Sequence, residues 1–135
     1  MDKRSTVNTP QDLDIPLRPG WEGMRVWWLT SGLSEPPTQL VINITEFPPG
    51  VMHEIHRHPD ADEFVFVLSG SGLQLSPSGE TRHSAGELVV VPKGSWHGLR
   101  NDTDEPLVVL AGYGGVATAD AAGYETYSDY QSEVR

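Results

Sequence analysis

Three histidines and one glutamate stand at spacings that a metal ion could use. His56 and His58 are two residues apart, and on a β-strand that spacing sends both imidazoles to one face while Arg57 points to the other. A helix would separate them. Glu63 follows a short connection containing Pro59 and Asp60 and opens the apolar run Phe64-Val65-Phe66-Val67-Leu68, so a second strand begins on its carboxylate. His97 arrives 34 residues after Glu63, about the distance a β-rich chain needs to leave one barrel and re-enter it. Divalent first-row metals accept neutral imidazole nitrogen and carboxylate oxygen, and three nitrogens with one oxygen leave one or two octahedral positions free for water, dioxygen or substrate. Open positions point to catalysis. Structural zinc sites are usually closed and rich in cysteine, and this chain has no cysteine.

The four residues lie inside two longer patterns. Gly50, His56, His58, Glu63 and Gly70 form the first; Gly86, Pro92, Gly94, His97 and Asn101 form the second. Together they resemble the two signature motifs of the cupin superfamily, with every fixed position of both motifs matched. The resemblance runs from Gly50 to Asn101, and with one copy of each motif the chain resembles a small, single-domain, metal-binding cupin. It implies an all-β fold, the cupin-type double-stranded β-helix or jelly-roll barrel. It also implies that His56, His58, Glu63 and His97 bind one divalent transition metal per chain, iron foremost, with manganese, nickel, cobalt, copper and zinc also accommodated. Many reactions share this superfamily, so the reaction type stays open.

Three neutral histidines, one carboxylate and a divalent cation sum to +1, which a monoanionic, bidentate oxygen ligand would neutralise. Hydroxy-ketones, enolisable diketones, phenolates and carboxylates fit that description. The leading expectation is an enzyme acting on such a small chelating molecule, a dioxygenase-type oxidoreductase in which Glu63 also serves as the catalytic proton carrier. One alternative is an isomerase, cyclase or lyase that uses the metal as a Lewis acid; another is a small-molecule-binding module without turnover.

A formal net charge of −10, from 9 basic and 19 acidic residues, repels nucleic acid and anionic membrane surfaces, so neither is an expected partner. Met1-Asp2-Lys3-Arg4 leads into polar residues rather than an apolar signal region, and no stretch approaches a membrane span. A cytoplasmic location is the default. Without cysteine, no disulfide holds the fold.

Residues 1–20, punctuated by Pro10, Pro16 and Pro19, read as an N-terminal arm. Residues 21–113 read as the barrel, with eight or nine short strands divided by Gly, Pro, Asp and Ser, and residues 114–135 as a tail. Tyr124, Tyr127 and Tyr130 repeat every three residues there, as an amphipathic turn laid on the barrel or by chance. If Glu63 points inward, so do Val65 and Val67, and Phe64, Phe66 and Leu68 form an outward apolar stripe. Each phenylalanine hides about 150–250 Å² when covered, at roughly 25 cal/mol per Å². A homodimer joined sheet to sheet would supply the cover, as would the arm or tail. Among the remaining residues, His53 is expected at a solvent-facing rim and His83 on the surface. Asp60 and Asp62 are expected in a loop, and Trp28, Trp96 and Tyr113 in the core. Arg25, Lys93 and Arg100 are expected as solvated charges, and Asn101 should bond nearby backbone.

Overall fold

The computed structural model describes residues 8–10, 22–30 and 38–134. Most of the expected N-terminal arm lies outside them; of its described part, Asn8 donates its side-chain amide to the Leu29 carbonyl at 2.8 Å. The strands are β1 (Arg25–Thr30), β2 (Leu40–Phe47), β3 (Met52–Arg57), β4 (Asp62–Ser69), β5 (Ser71–Ser76), β6 (Gly79–Ser84), β7 (Leu88–Val91), β8 (His97–Arg100), β9 (Leu107–Gly114) and β10 (Glu125–Thr126). A short 3-10 turn at Asp120–Ala122 precedes β10, and one α-helix, α1 (Tyr127–Glu133), follows it.

The strands form two five-stranded antiparallel sheets, ordered β1-β2-β9-β4-β7 and β10-β3-β8-β5-β6. This is the all-β architecture expected from the sequence. The alternation of β4 holds as well: Val65 and Val67 are buried while Leu68 is exposed. On β2, Val41, Asn43, Thr45 and Phe47 face inward, so two polar side chains enter the space between the sheets. Trp28, Val41, Phe47, Val67, Leu99, Leu107 and Val109 make up much of the apolar core.

Asn101 organises the end of the barrel where β8 leaves it. Its amide nitrogen donates to the carbonyls of Phe47 (2.8 Å) and Glu105 (2.7 Å). Its oxygen accepts from the Thr103 backbone N–H (3.0 Å) and hydroxyl (2.8 Å). The local backbone role expected for Asn101 is therefore its observed one. Gly70 turns the chain between β4 and β5 at φ +80°, and a Cβ there would run into the Pro106 carbonyl.

His83 departs from expectation. It is only 2% exposed, with Nε2 2.9 Å from the Glu87 carbonyl. The turn after β6 folds that carbonyl back over the strand, while the Glu87 carboxylate accepts from the Ser84 N–H at 2.6 Å, so the ring finds a backbone partner in place of water. The segment beyond β9 is more than an appendage: β10 pairs with β3, placing Glu125 opposite Arg57 and Thr126 opposite His56. Thr126 then caps α1 by accepting from the Asp129 N–H at 3.2 Å. Among the described residues no helix is long and apolar enough to cross a membrane.

Candidate metal centre

β3 and β8 are neighbours in the second sheet, and their register sets His56 directly opposite His97. His58 lies just beyond β3 on the same face. Glu63, on β4 of the first sheet, reaches across from the opposite wall. One ligand atom from each of these four side chains lies within 4.8 Å of all the others. The sequence-derived set is thus brought together in space.

Each imidazole is oriented through its far nitrogen. His56 Nδ1 lies 2.6 Å from the Glu54 carbonyl, His58 Nδ1 2.8 Å from the Gly123 carbonyl and His97 Nδ1 3.0 Å from the Ser95 carbonyl. A carbonyl only accepts, so each Nδ1 carries a proton and each ring turns its Nε2 toward the cluster. The Nε2 atoms of His56 and His58 are buried without a hydrogen-bond partner. Glu63 places Oε1 2.9 Å from His97 Nε2 and Oε2 3.0 Å from His58 Nε2, the latter off the line of a hydrogen bond. Two buried imidazole nitrogens without a partner converge with His97 Nε2 and the Glu63 carboxylate, and a divalent transition metal fits this donor set.

The electrostatics agree. Burial alone would raise the Glu63 pKa, but the imidazoles of His97 and His58 hold it well below the usual carboxylate range. For His97 burial opposes charge, and the adjacent Glu63 carboxylate overrides it and raises the pKa. His56 is shifted down, by burial first and then by His53 and His97.

Beside the cluster a cavity of about 60 Å³ opens between the sheets. Met24, Val26, Phe47, Val65, Leu99, Val109 and Ala111 give it an apolar wall, interrupted by Asn43, Thr45, Gln74, His53 and Tyr113. Among the described residues no lysine or arginine lines it. Gln74 Oε1 is buried without a partner. Thr45 donates its hydroxyl to the Asn43 side-chain oxygen at 2.7 Å, which turns the Asn43 amide nitrogen to other partners.

His53 is corrected by the structure from a solvent-facing rim to the cavity wall. The β3–β8 register slips between His53 and His56, so an extra residue bulges there and His53 returns to the inner face. Its ring stacks on His56 at 3.9 Å between centroids, and its Nε2 lies 3.3 Å from the Tyr124 hydroxyl. Burial, with His97 and His58 nearby, holds its pKa well below the ordinary histidine value. A signal for the bulge exists in the sequence: Gly98 follows a ligand histidine inside a strand, and a Cβ there would sit 2.7 Å from the His53 carbonyl.

Of the other candidates, Tyr113 lines the cavity and Trp28 sits in the core. Trp96 packs outside against Tyr127 and Tyr130. Arg25 and Arg100 pair with Glu46 (4.0 Å) and Glu80 (3.2 Å) away from the cavity. Asp62, expected in a loop, is instead the first residue of β4, and its carboxylate accepts from the Lys93 N–H at 2.8 Å. Sequence reasoning missed Asn43, Thr45, Gln74 and Tyr124; for the first two, polar residues alternating with Ile42 and Ile44 were the available signal.

The family model described as "Cupin domain" matches residues 43–113, more than half of the chain. The chain belongs to the cupin family. Among curated relatives, this cupin is 34% identical over 82 residues to gentisate 1,2 dioxygenase 1 of Aquipseudomonas alcaligenes, covering 60% of this chain and 23% of that one. It is 36% identical over 67 residues to oxalate decarboxylase OxdC of Bacillus subtilis, covering 46% and 17%. The chain spans about a third or less of the length of the curated relatives it matches. A solved double-stranded β-helix protein from Klebsiella pneumoniae superimposes with a TM-score of 0.65 at 20% identity, over 82% of this cupin and 89% of that chain, which establishes the shared fold.

Proposed function

We propose that this cupin is a metal-dependent enzyme acting on a small, metal-chelating oxygenated organic molecule by dioxygenase-type oxidation, with iron(II) as the working metal. The observation that carries this reading is the convergence of three lone-pair nitrogens and one carboxylate beside an apolar cavity. His56, His58 and His97 hold the metal, with Glu63 as fourth ligand. When bound, a redox-active metal supplies Lewis acidity toward an oxygen chelate and electron transfer to dioxygen. Glu63 is the carboxylate placed to take the proton from the chelating oxygen or carbon of the substrate. The apolar wall excludes water and receives the carbon skeleton. Asn43 and Gln74 meet a polar substituent far from the metal.

The +1 charge of the occupied centre, beside a wall whose described residues are mostly apolar, favours neutral or monoanionic substrates over dianionic ones. The test is oxygen uptake by anaerobically iron-reconstituted protein given a panel of small hydroxy-ketones, enolisable diketones, phenols and carboxylates. Turnover that persists without oxygen would overturn the dioxygenase assignment. A second reading, Lewis-acid isomerase, cyclase or lyase chemistry, draws on the comparable similarity to a dioxygenase and a decarboxylase. Full activity with zinc in place of iron identifies that case.

We also infer a homodimer through the outer face of the first sheet. Leu68, Leu88 and Val90 are 46%, 55% and 63% exposed there, with Phe64 and Phe66 paired to Val90 and Leu88. A second copy would cover this apolar surface. Light scattering on Leu88→Lys/Val90→Lys should report a monomer; unchanged mass overturns the assignment of this face.

A further inference from the structure

His58 differs from the other two cluster histidines in what aims it. His56 and His97 bond the carbonyl two residues earlier in their own segments, Glu54 and Ser95. His58 has passed the end of β3, and its Nδ1 partner is the Gly123 carbonyl, 65 residues later in the chain. Gly123 holds that place tightly. Its φ is +75°, and a Cβ there would sit 2.8 Å from Pro59 Cγ. The neighbouring Ala122 carbonyl accepts from the Asp60 N–H at 3.0 Å. Two further contacts fasten the same segment to β3 and the β7–β8 turn. Arg57 donates through Nη2 (2.8 Å) and Nε (3.1 Å) to one Glu125 oxygen, and its guanidinium lies 4.3 Å from the Trp96 ring centre and 5.2 Å from that of Tyr130.

We propose that the C-terminal segment from Asp120 to Tyr130 is a positioning part of the metal centre: the Arg57–Glu125 clamp and the Trp96–Tyr130 packing hold the Gly123 carbonyl where it orients His58 as a ligand. The inference rests on the metal-binding reading above and is independent of the reaction. A partner that fixes the tautomer and angle of a ligating histidine is worth about 10–100-fold in metal affinity. Glu125 is 45% exposed and Arg57 27% exposed at the side chain, so changing them tests the clamp without opening the core.

The experiment uses the intact chain and cobalt(II) alone as probe, with affinity from chelator competition and ligand geometry from the visible cobalt spectrum. Glu125→Arg is expected to weaken cobalt binding by about 10-fold or more and to alter the spectrum, with circular dichroism reporting a folded barrel. Arg57→Glu combined with Glu125→Arg restores the pair in reverse and is expected to recover both affinity and spectrum. Gly123→Val, which strains the backbone and strikes Pro59, is expected to give the larger loss. Wild-type affinity and spectrum in both Glu125→Arg and Gly123→Val overturn the positioning role while leaving the metal reading intact. A wild-type chain that binds no cobalt overturns the metal reading and this inference with it.

Discussion

The two sheets contribute to the centre in different ways. The second sheet and its extension supply every imidazole, and each ring is braced from behind by a backbone carbonyl. The first sheet supplies one carboxylate, and Glu63 lies against two imidazoles, His97 at 2.9 Å and His58 at 3.0 Å. Nitrogen donors are therefore fixed by the fold, whereas the oxygen donor is fixed by the cluster itself. Such a carboxylate can leave the metal and carry a proton without breaking any bond to the scaffold. The braced rings cannot.

The sharpest way to break this comparison is to remove a ligand from each side. His56→Ala is expected to lower metal affinity by more than the roughly 100-fold that outer partners command, measured by metal content after dialysis against a weak chelator. Glu63→Gln keeps the shape but loses the charge. Its metal affinity should fall less than that of His56→Ala, while kcat falls by about 10²–10⁴-fold, the range for a lost proton carrier. If Glu63→Gln empties the site as fully as His56→Ala, the division between fixed and movable donors fails.

Acidity sharpens the same contrast. In metal-free protein the raised pKa of His97 means that the His97–Glu63 pair contributes stability fully below about pH 6.5 and loses it as pH rises through the folded-state value. Thermal melts in chelator should therefore show the wild type losing its advantage over His97→Gln as pH rises above about 6.5. Metal binding should move oppositely, tightening with pH as the proton leaves. The smallest expected effect lies at the polar part of the cavity wall. Gln74 Oε1 is buried and unpartnered, so Gln74→Met should raise stability by about 1 kcal/mol. It should also raise KM for substrates bearing a distal hydroxyl more than for those without one.

The sequence made the ligand set legible because His56, His58, Glu63 and His97 lie at the fixed positions of motifs whose glycines and proline also mark the turns. Alternation then oriented Val65 and Val67 correctly. The same rule misplaced His53, because strict alternation assumes an unbroken strand and β3 carries an extra residue between His53 and His56. His83 was misread from its polar neighbours, since the carbonyl that shelters it belongs to a turn whose closure composition does not encode. Three-residue spacing grouped Tyr124, Tyr127 and Tyr130, yet only the last two share α1. Tyr124 precedes β10 and faces His53 and His56. Contacts such as Gly123 with His58, separated by 65 residues, leave no local periodicity to detect.

The bulge in β3 and the missing side chain at position 98 depend on each other. A chain shortened by one residue at Glu54 or Ile55 would turn His53 outward and free position 98 to carry a methyl group; a chain with alanine at 98 would collide with the His53 carbonyl unless that residue were lost. The insertion and the glycine should therefore be gained and lost together during divergence, carrying a fourth imidazole into or out of the cavity in a single step.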